Sequence, residues 1–117
     1  MNSREGALLP EAVRLVLQAM SDVIEAGGGV LAEQARSARV RSFSPTYIEV
    51  EVPAECPDGP WSDGALSLSP SVVDEQGRTV GSILVWVAAG RISLLEQPWY
   101  SDDPPTHWPR PEQLRWV

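Results

Sequence analysis

Apolar side chains occupy both alternating positions of the segment Thr79 to Ala88, with Ile83, Val85 and Val87 on one side and Val80, Leu84 and Trp86 on the other. A period-two segment that is apolar on both faces has to sit inside a sheet, with a covering layer on each side. Ala89-Gly90 follows as a two-residue hairpin turn in which Gly90 supplies a positive φ, and Arg91 to Gln97 returns antiparallel. This register sets Val87 opposite Ile92, Val85 opposite Leu94 and Ile83 opposite Glu96, so one acid is expected on an otherwise apolar face.

One cover is legible upstream. Pro10 suits the first position of a helix, and Glu11 lies where the helix dipole favours negative charge. Val13, Val16, Leu17, Met20, Val23 and Ile24 recur at three- and four-residue steps, while Arg14, Gln18, Ser21, Asp22 and Glu25 take the other face. The spacing predicts an amphipathic helix over about 10–26, ended by Gly27, Gly28 and Gly29. That glycine run follows a helix C-terminus and lacks a GK[ST] sequence, so it does not read as a phosphate loop. A single helix covers one face of the sheet. Leu84 and Trp86 then need a second cover, either the C-terminal tail or another subunit, and a homodimer is the expectation.

Two further strands are expected at about 38–43 and 47–52, joined through Ser44-Pro45-Thr46. A three-residue loop places Phe43 opposite Tyr47, Arg41 opposite Glu49, Arg39 opposite Glu51 and Val40 opposite Val50. Charges then pair on a wet face, where Glu49 and Glu51 are balanced by Arg39 and Arg41. Pro53 to Gly64 is a long Pro/Gly/Asp loop of the kind that is mobile or functional. A strand at about 66–73 is interrupted by Pro70, which assigns it to an edge or splits it, and Asp74 to Gly77 is a turn. After strands at 79–88 and 91–97, the tail 98–117 carries five prolines and must run extended, with Trp99, Tyr100, Trp108 and Trp116 as pegs that hold it to the body.

The expected architecture is a single α+β domain over 1–117: an N-terminal amphipathic helix packed on a four- to five-stranded, mostly antiparallel meander, closed by a Pro/Trp-rich tail. At 12.8 kDa such a chain buries about two-thirds of its extended surface, enough for one core without staples. The lone Cys56 excludes an internal disulfide, and no CxxC or His/Cys cluster suggests zinc, so no metal or cofactor is expected and a reducing cytoplasm fits best. The longest apolar run, Ile83 to Ala89, is too short to span a bilayer, and the first residues lack the parts of an export signal. A formal charge of −7 repels nucleic acid and favours a basic protein partner. Every basic position except the one His is Arg, and Ala, Gly and Pro are plentiful, as in proteins of GC-rich bacteria.

Gly77, Val80 and Gly81, then Gly90, Arg91, Ser93, Leu95 and Glu96, then Asp102, Asp103, Pro104, Pro105, Pro109 and Pro111 carry a resemblance. Over about Asp74 to Leu114, with Gln34 and Arg39-Val40 earlier, the chain resembles small uncharacterised proteins of GC-rich, actinobacterial-type bacteria that end in a Leu-Glu hairpin and an Asp-Pro-rich tail. The resemblance implies that these segments share one fold, and it implies no activity. Some of those proteins carry cysteines in the first hairpin turn, where this chain has Ser42, Ser44 and Pro45, so no metal or redox role transfers.

Glu96, Asp102, Asp103 and His107 form the one grouping of acids and imidazole that could build a site. A buried Glu96 would act as general acid or base beside His107; the plainer reading has it fixing the tail through Arg91 or backbone amides. Cys56 sits among acidic neighbours and reads as an inert thiol, and no G-x-S-x-G elbow is present. Trp61, Trp99 and Tyr100 are candidate surface anchors. Two functions therefore compete: a non-enzymatic protein-interaction module of immunity or adaptor type, and a small-molecule-binding protein or minor enzyme with a pocket around Glu96, Trp99 and His107. An enzyme is the less expected of the two, because no catalytic set is complete.

Overall fold

The computed structural model describes residues 5–116. Among them are two helices, α1 (Glu11–Val23) and α2 (Gly28–Ser37), and eight strands. These strands are β1 (Arg39–Ser44), β2 (Tyr47–Glu51), β3 (Gly64–Ala65), β4 (Ser71–Val73), β5 (Thr79–Ser82), β6 (Leu84–Ala88), β7 (Arg91–Glu96) and β8 (Leu114–Arg115). They form a five-stranded antiparallel sheet in the order β1-β2-β7-β6-β3 and a three-stranded one in the order β5-β4-β8. The fold is α+β with antiparallel sheets.

The helix expected over 10–26 stops at Val23, because Ile24 is already extended (φ −66°, ψ 141°). Gly27 does take a left-handed conformation (φ 81°), but it opens a second helix instead of closing the first. A side chain there would strike Pro60 Cδ at 2.6 Å, so only glycine fits between the two helices and the loop beyond. Val13, Val16, Leu17 and Met20 of α1 and Leu31 and Ala35 of α2 are buried against Val40, Ile48, Val50, Val85, Val87, Ile92 and Leu95 of the large sheet. Both helices thus lie on one face.

The first hairpin keeps the expected pairs Arg39 with Glu51 and Val40 with Val50, and then departs from them. The turn is the two residues Pro45-Thr46, with Ser44 opposite Tyr47, Phe43 opposite Ile48 and Ser42 opposite Glu49. A bulge at Arg41 absorbs the extra residue, so Arg41 faces no strand partner and instead approaches Glu51 at 3.9 Å, both side chains well exposed. Outside this hairpin, Gly6 N–H donates to the Val40 carbonyl at 2.7 Å and Val40 N–H to that of Ala7 at 2.8 Å. The N-terminal segment thereby covers part of the edge of β1.

The expected 79–88 strand is broken at Ile83 into β5 and β6, which belong to different sheets. Of the strand expected at 66–73 only Ser71–Val73, after Pro70, forms as β4, which pairs with β5 and β8; residues 66–70 are not strand, and the short β3 before them joins β6. Ile83 N–H donates to the Pro70 carbonyl at 3.0 Å, so the two interruptions satisfy each other. Because β3, β4 and β5 leave the main path, β2 pairs with β7 and the sheet is not a simple meander.

At the second hairpin Ala89 and Gly90 both have positive φ (53° and 74°), the geometry of a tight two-residue turn. Val87 faces Ile92 as expected, but an irregularity between Trp86 and Val87 leaves Ser93 without a partner. Val85 therefore meets Leu95, Trp86 meets Leu94 and Leu84 meets Glu96. The expected pairing of Ile83 with Glu96 is replaced, and Glu96 moves to the face away from the helices.

Candidate functional site

The displaced register builds the most distinctive surface of the molecule. Away from the helices, two cross-strand rows run over the large sheet: Ser44, Tyr47, Glu96 and Leu84 in one, and Ser42, Glu49, Leu94, Trp86 and Ala65 in the other. Tyr47, Leu84, Trp86 and Leu94 are half-buried, and none belongs to the core on the helical side. Glu49 and Glu51 are exposed beside them, and Glu96 is half-buried. The tail, one of the two covers expected for Leu84 and Trp86, bridges Gly81 through Trp99, bonds the Ser44 carbonyl through Trp108 and pairs with β4 through β8.

The polar atoms of this face are unevenly served. Tyr47 Oη donates a short hydrogen bond to Glu49 Oε1. That bond to Glu49 raises the tyrosine pKa above its ordinary value of 10.0, against a smaller lowering by Ser42, while desolvation and the charges of Glu49 and Glu96 raise it further. Trp86 Nε1 is shut off from solvent and has no acceptor. A buried donor in that state costs about 1–3 kcal/mol.

The residues singled out from the sequence are dispersed. Glu96 lies on the open face between Tyr47 and Leu84. Trp99 forms an antiparallel bridge with Gly81 and is 42% exposed; Tyr100 is 65% exposed, although its N–H donates to the Val80 carbonyl at 2.9 Å and its Oη donates to Ser82 Oγ at 3.2 Å. Asp102 and Asp103 are exposed. His107 is exposed too, with its Nδ1 3.1 Å from Thr106 Oγ1 and its carbonyl accepting from Gln97 Nε2 at 3.1 Å. Trp61 is half-buried, packs against the core and donates through Nε1 to the Ala26 carbonyl at 3.0 Å, which ties it to the interhelical turn.

Two clefts flank the tail, one of about 210 Å³ lined by Gly81, Gln97, Trp99 and Asp103, the other of about 240 Å³ lined by Gln97, Pro105 and His107. Glu96 lines neither. Gln97, its neighbour, faces the tail instead: it is buried and donates from Nε2 to the carbonyls of Pro45 (2.8 Å) and His107. Among the described residues no three His, Cys, Asp or Glu side chains converge as a metal site would require, and no helix is long and apolar enough to cross a membrane.

Two residues to which the sequence reading gave no part in the long loop order it, and Arg91, expected as a partner of Glu96, pairs with Asp58. Arg91 donates to the carbonyls of Val52 (3.2 Å), Pro53 (2.7 Å), Ala54 (3.1 Å) and Cys56 (2.8 Å), and its Nε meets Asp58 Oδ1 at 2.9 Å. Gln34, wholly buried, donates to Pro57 and Gly90. The loop expected to be mobile or functional is thus tied down through its backbone, and Cys56 is buried within it.

No protein-family model, curated protein or solved structure matches the chain.

Proposed function

We propose that this protein is a non-enzymatic interaction module, of immunity or adaptor type, whose open sheet face docks a basic protein. The observation that carries this reading is the pair of rows Tyr47–Glu96–Leu84 and Glu49–Leu94–Trp86, an aromatic and aliphatic strip with carboxylates at its side and both helices on the opposite face. Tyr and Trp are the side chains that most often anchor protein interfaces, since each offers a large, stiff contact area with one polar tip. Glu49, Glu51 and Glu96 would select lysine- or arginine-bearing partners, and the formal charge of −7 would speed their approach. Pairing of this face with its own copy about a two-fold axis would set these carboxylates near one another, which disfavours the homodimer.

The test is native mass spectrometry of the untagged protein in extract of its own cells, at low and then moderate salt. A heteromeric mass at low salt is expected, with a partner whose contact surface is basic. It should weaken as salt rises and vanish in both Trp86→Ala and the Glu49→Lys/Glu96→Lys double variant. A monomer at every ionic strength, a homodimer, or a complex indifferent to these substitutions would each overturn the reading. A small extra mass lost on changing Trp99 or His107 would instead favour a ligand at the tail.

A further inference from the structure

Opposite the acidic sheet face, on the outer side of the helical layer, the arginines divide in a telling way. Among the described residues, Arg41, Arg78, Arg91 and Arg110 sit in ion pairs, and Arg39 and Arg115 donate to backbone carbonyls. Of the described arginines, Arg14 and Arg36 alone have neither kind of partner for their side chains, and both line the same groove between α1 and α2. Arg14 Nε is also closed off from solvent without an acceptor. In a chain of charge −7, both of these guanidinium groups line one groove.

The groove has a volume of about 270 Å³ and is completed by Glu11, Leu15, Gln18, Ala32 and Ala35. Leu15 points outward, 47% exposed, and Gln18 is engaged with Ser21 and Asp22. Glu11 makes no ion pair with either arginine among the described residues, so the local charge is positive by one. This volume lies below the roughly 300–1,000 Å³ of sites that enclose a small molecule, and it suits one or two side chains presented by a peptide.

We infer that the α1–α2 groove is a second docking site, for an acidic amphipathic peptide segment of a protein partner. The terminal guanidinium N–H groups of Arg14 and Arg36 donate to an Asp or Glu carboxylate of that segment, since planar guanidinium groups match carboxylates. A neighbouring apolar side chain packs on Leu15, Ala32 and Ala35, as in other recognition of helices or short segments by helical grooves. The assignment goes beyond the sheet-face reading: the two faces have opposite charge preferences, and one chain could bridge a basic and an acidic partner.

A random linear peptide library selected against the full-length chain tests this, with binding mapped by proton–nitrogen NMR of the arginine Nε–H groups. Recovered peptides should pair Asp or Glu with an apolar residue, move the Arg14 and Arg36 resonances, and lose about tenfold or more in affinity to Arg14→Gln and to Arg36→Gln, the equivalent of about 1.4 kcal/mol. Unchanged circular dichroism of those variants checks that they fold, and Leu15→Ser gives an independent loss through the apolar half. Trp86→Ala should leave the peptide affinity intact, so failure here is separable from failure of the sheet-face proposal. Absence of enrichment, enrichment of neutral or basic peptides, affinity unchanged by either arginine substitution, or the same resonance shifts with free glutamate alone would overturn the inference.

Discussion

Gln34 Nε2 donates to the carbonyl of Gly90 at 3.0 Å, joining the second helix to the turn of a hairpin 56 residues along the chain. The same nitrogen donates to Pro57 at 2.9 Å, and Gln34 Oε1 accepts the Ile92 N–H at 3.0 Å. One buried amide therefore satisfies three backbone groups from two separate segments, inside a layer that is otherwise apolar. Gly90 in turn accepts the N–H of Gly59 at 2.7 Å. Together with the guanidinium of Arg91, this network explains why the loop from Pro53 to Gly64 holds a defined course with almost no regular structure.

Replacing Gln34 by Leu should cost stability out of proportion to its size. The apolar chain fits the volume, but the Pro57 carbonyl and the Ile92 N–H lose their partner, and the Gly90 carbonyl keeps only the Gly59 N–H. A loss of about 2–4 kcal/mol is expected on that basis, read as a lower urea midpoint at unchanged slope. Limited proteolysis should then cut between Pro53 and Gly64, where the unsubstituted chain resists. A variant of unaltered midpoint would show that these groups find other partners.

How far the sequence revealed this fold can be read from the same residues. The amphipathic spacing of Val13, Val16, Leu17 and Met20 and the Ala89-Gly90 turn were plain, because local periodicity and turn chemistry determine them. Helix α2 was not: it opens on two glycines, poor helix formers by about 1 kcal/mol each, and its buried face includes Gln34, so no apolar stripe announces it. The bulges at Arg41 and Ser93 were also hidden, since each depends on which strand lies alongside and not on its own neighbours. That last point matters most for the candidate site, because a single skipped residue transfers Glu96 from the helical face to the open one. The need of Leu84 and Trp86 for another cover was visible in their alternation; the strip they form with Tyr47 and Leu94 required the pairing of β2 with β7.

Gly81 should tolerate no side chain. The tail passes so close to it that a Cβ would collide with the Pro98 carbonyl oxygen, which is backbone and cannot swing aside. Ser82 N–H donates to that same carbonyl at 3.1 Å. Gly81→Ala should therefore cost about 1–3 kcal/mol and loosen the tail as far as the Trp108 anchor. Hydrogen exchange provides the check: the amides of Ser82 and Tyr100 should lose protection while those of Ile48 and Leu95 keep it.

Asp74 should give the protein an acid-sensitive turn. Its carboxylate accepts the N–H groups of Arg78 and Gln76, each at 2.9 Å, and meets the Arg78 guanidinium at 3.3 Å; the Arg78 backbone bond is the leading cause that holds its pKa below its ordinary value of 3.8. A folded pKa below the unfolded one means the stabilisation is complete above the unfolded value and is lost as pH falls through the folded value. Carboxyl carbon NMR should place the Asp74 midpoint below 3.8, and acid unfolding of Asp74→Asn should lack this component. A midpoint at or above the ordinary aspartate value would contradict the turn geometry.

Tyr47 should carry the opposite sign. Its hydroxyl donates to Glu49, and ionisation would set a phenolate against that carboxylate and near Glu96, so the folded pKa lies above 10.0. Stability from this bond is therefore full below the unfolded pKa and disappears as pH rises through the folded one. Ultraviolet titration of phenolate formation should find one tyrosine ionising above its ordinary value. Glu49→Gln should bring that midpoint down by removing both the charged acceptor and the adjacent charge, and Glu96→Gln should move it less, because Glu96 acts only through its field. Since Tyr47 and the two acids line the proposed basic-partner surface, engagement of a lysine or arginine by Glu49 should also lower the Tyr47 midpoint, and a partner that binds without moving it would be docking elsewhere.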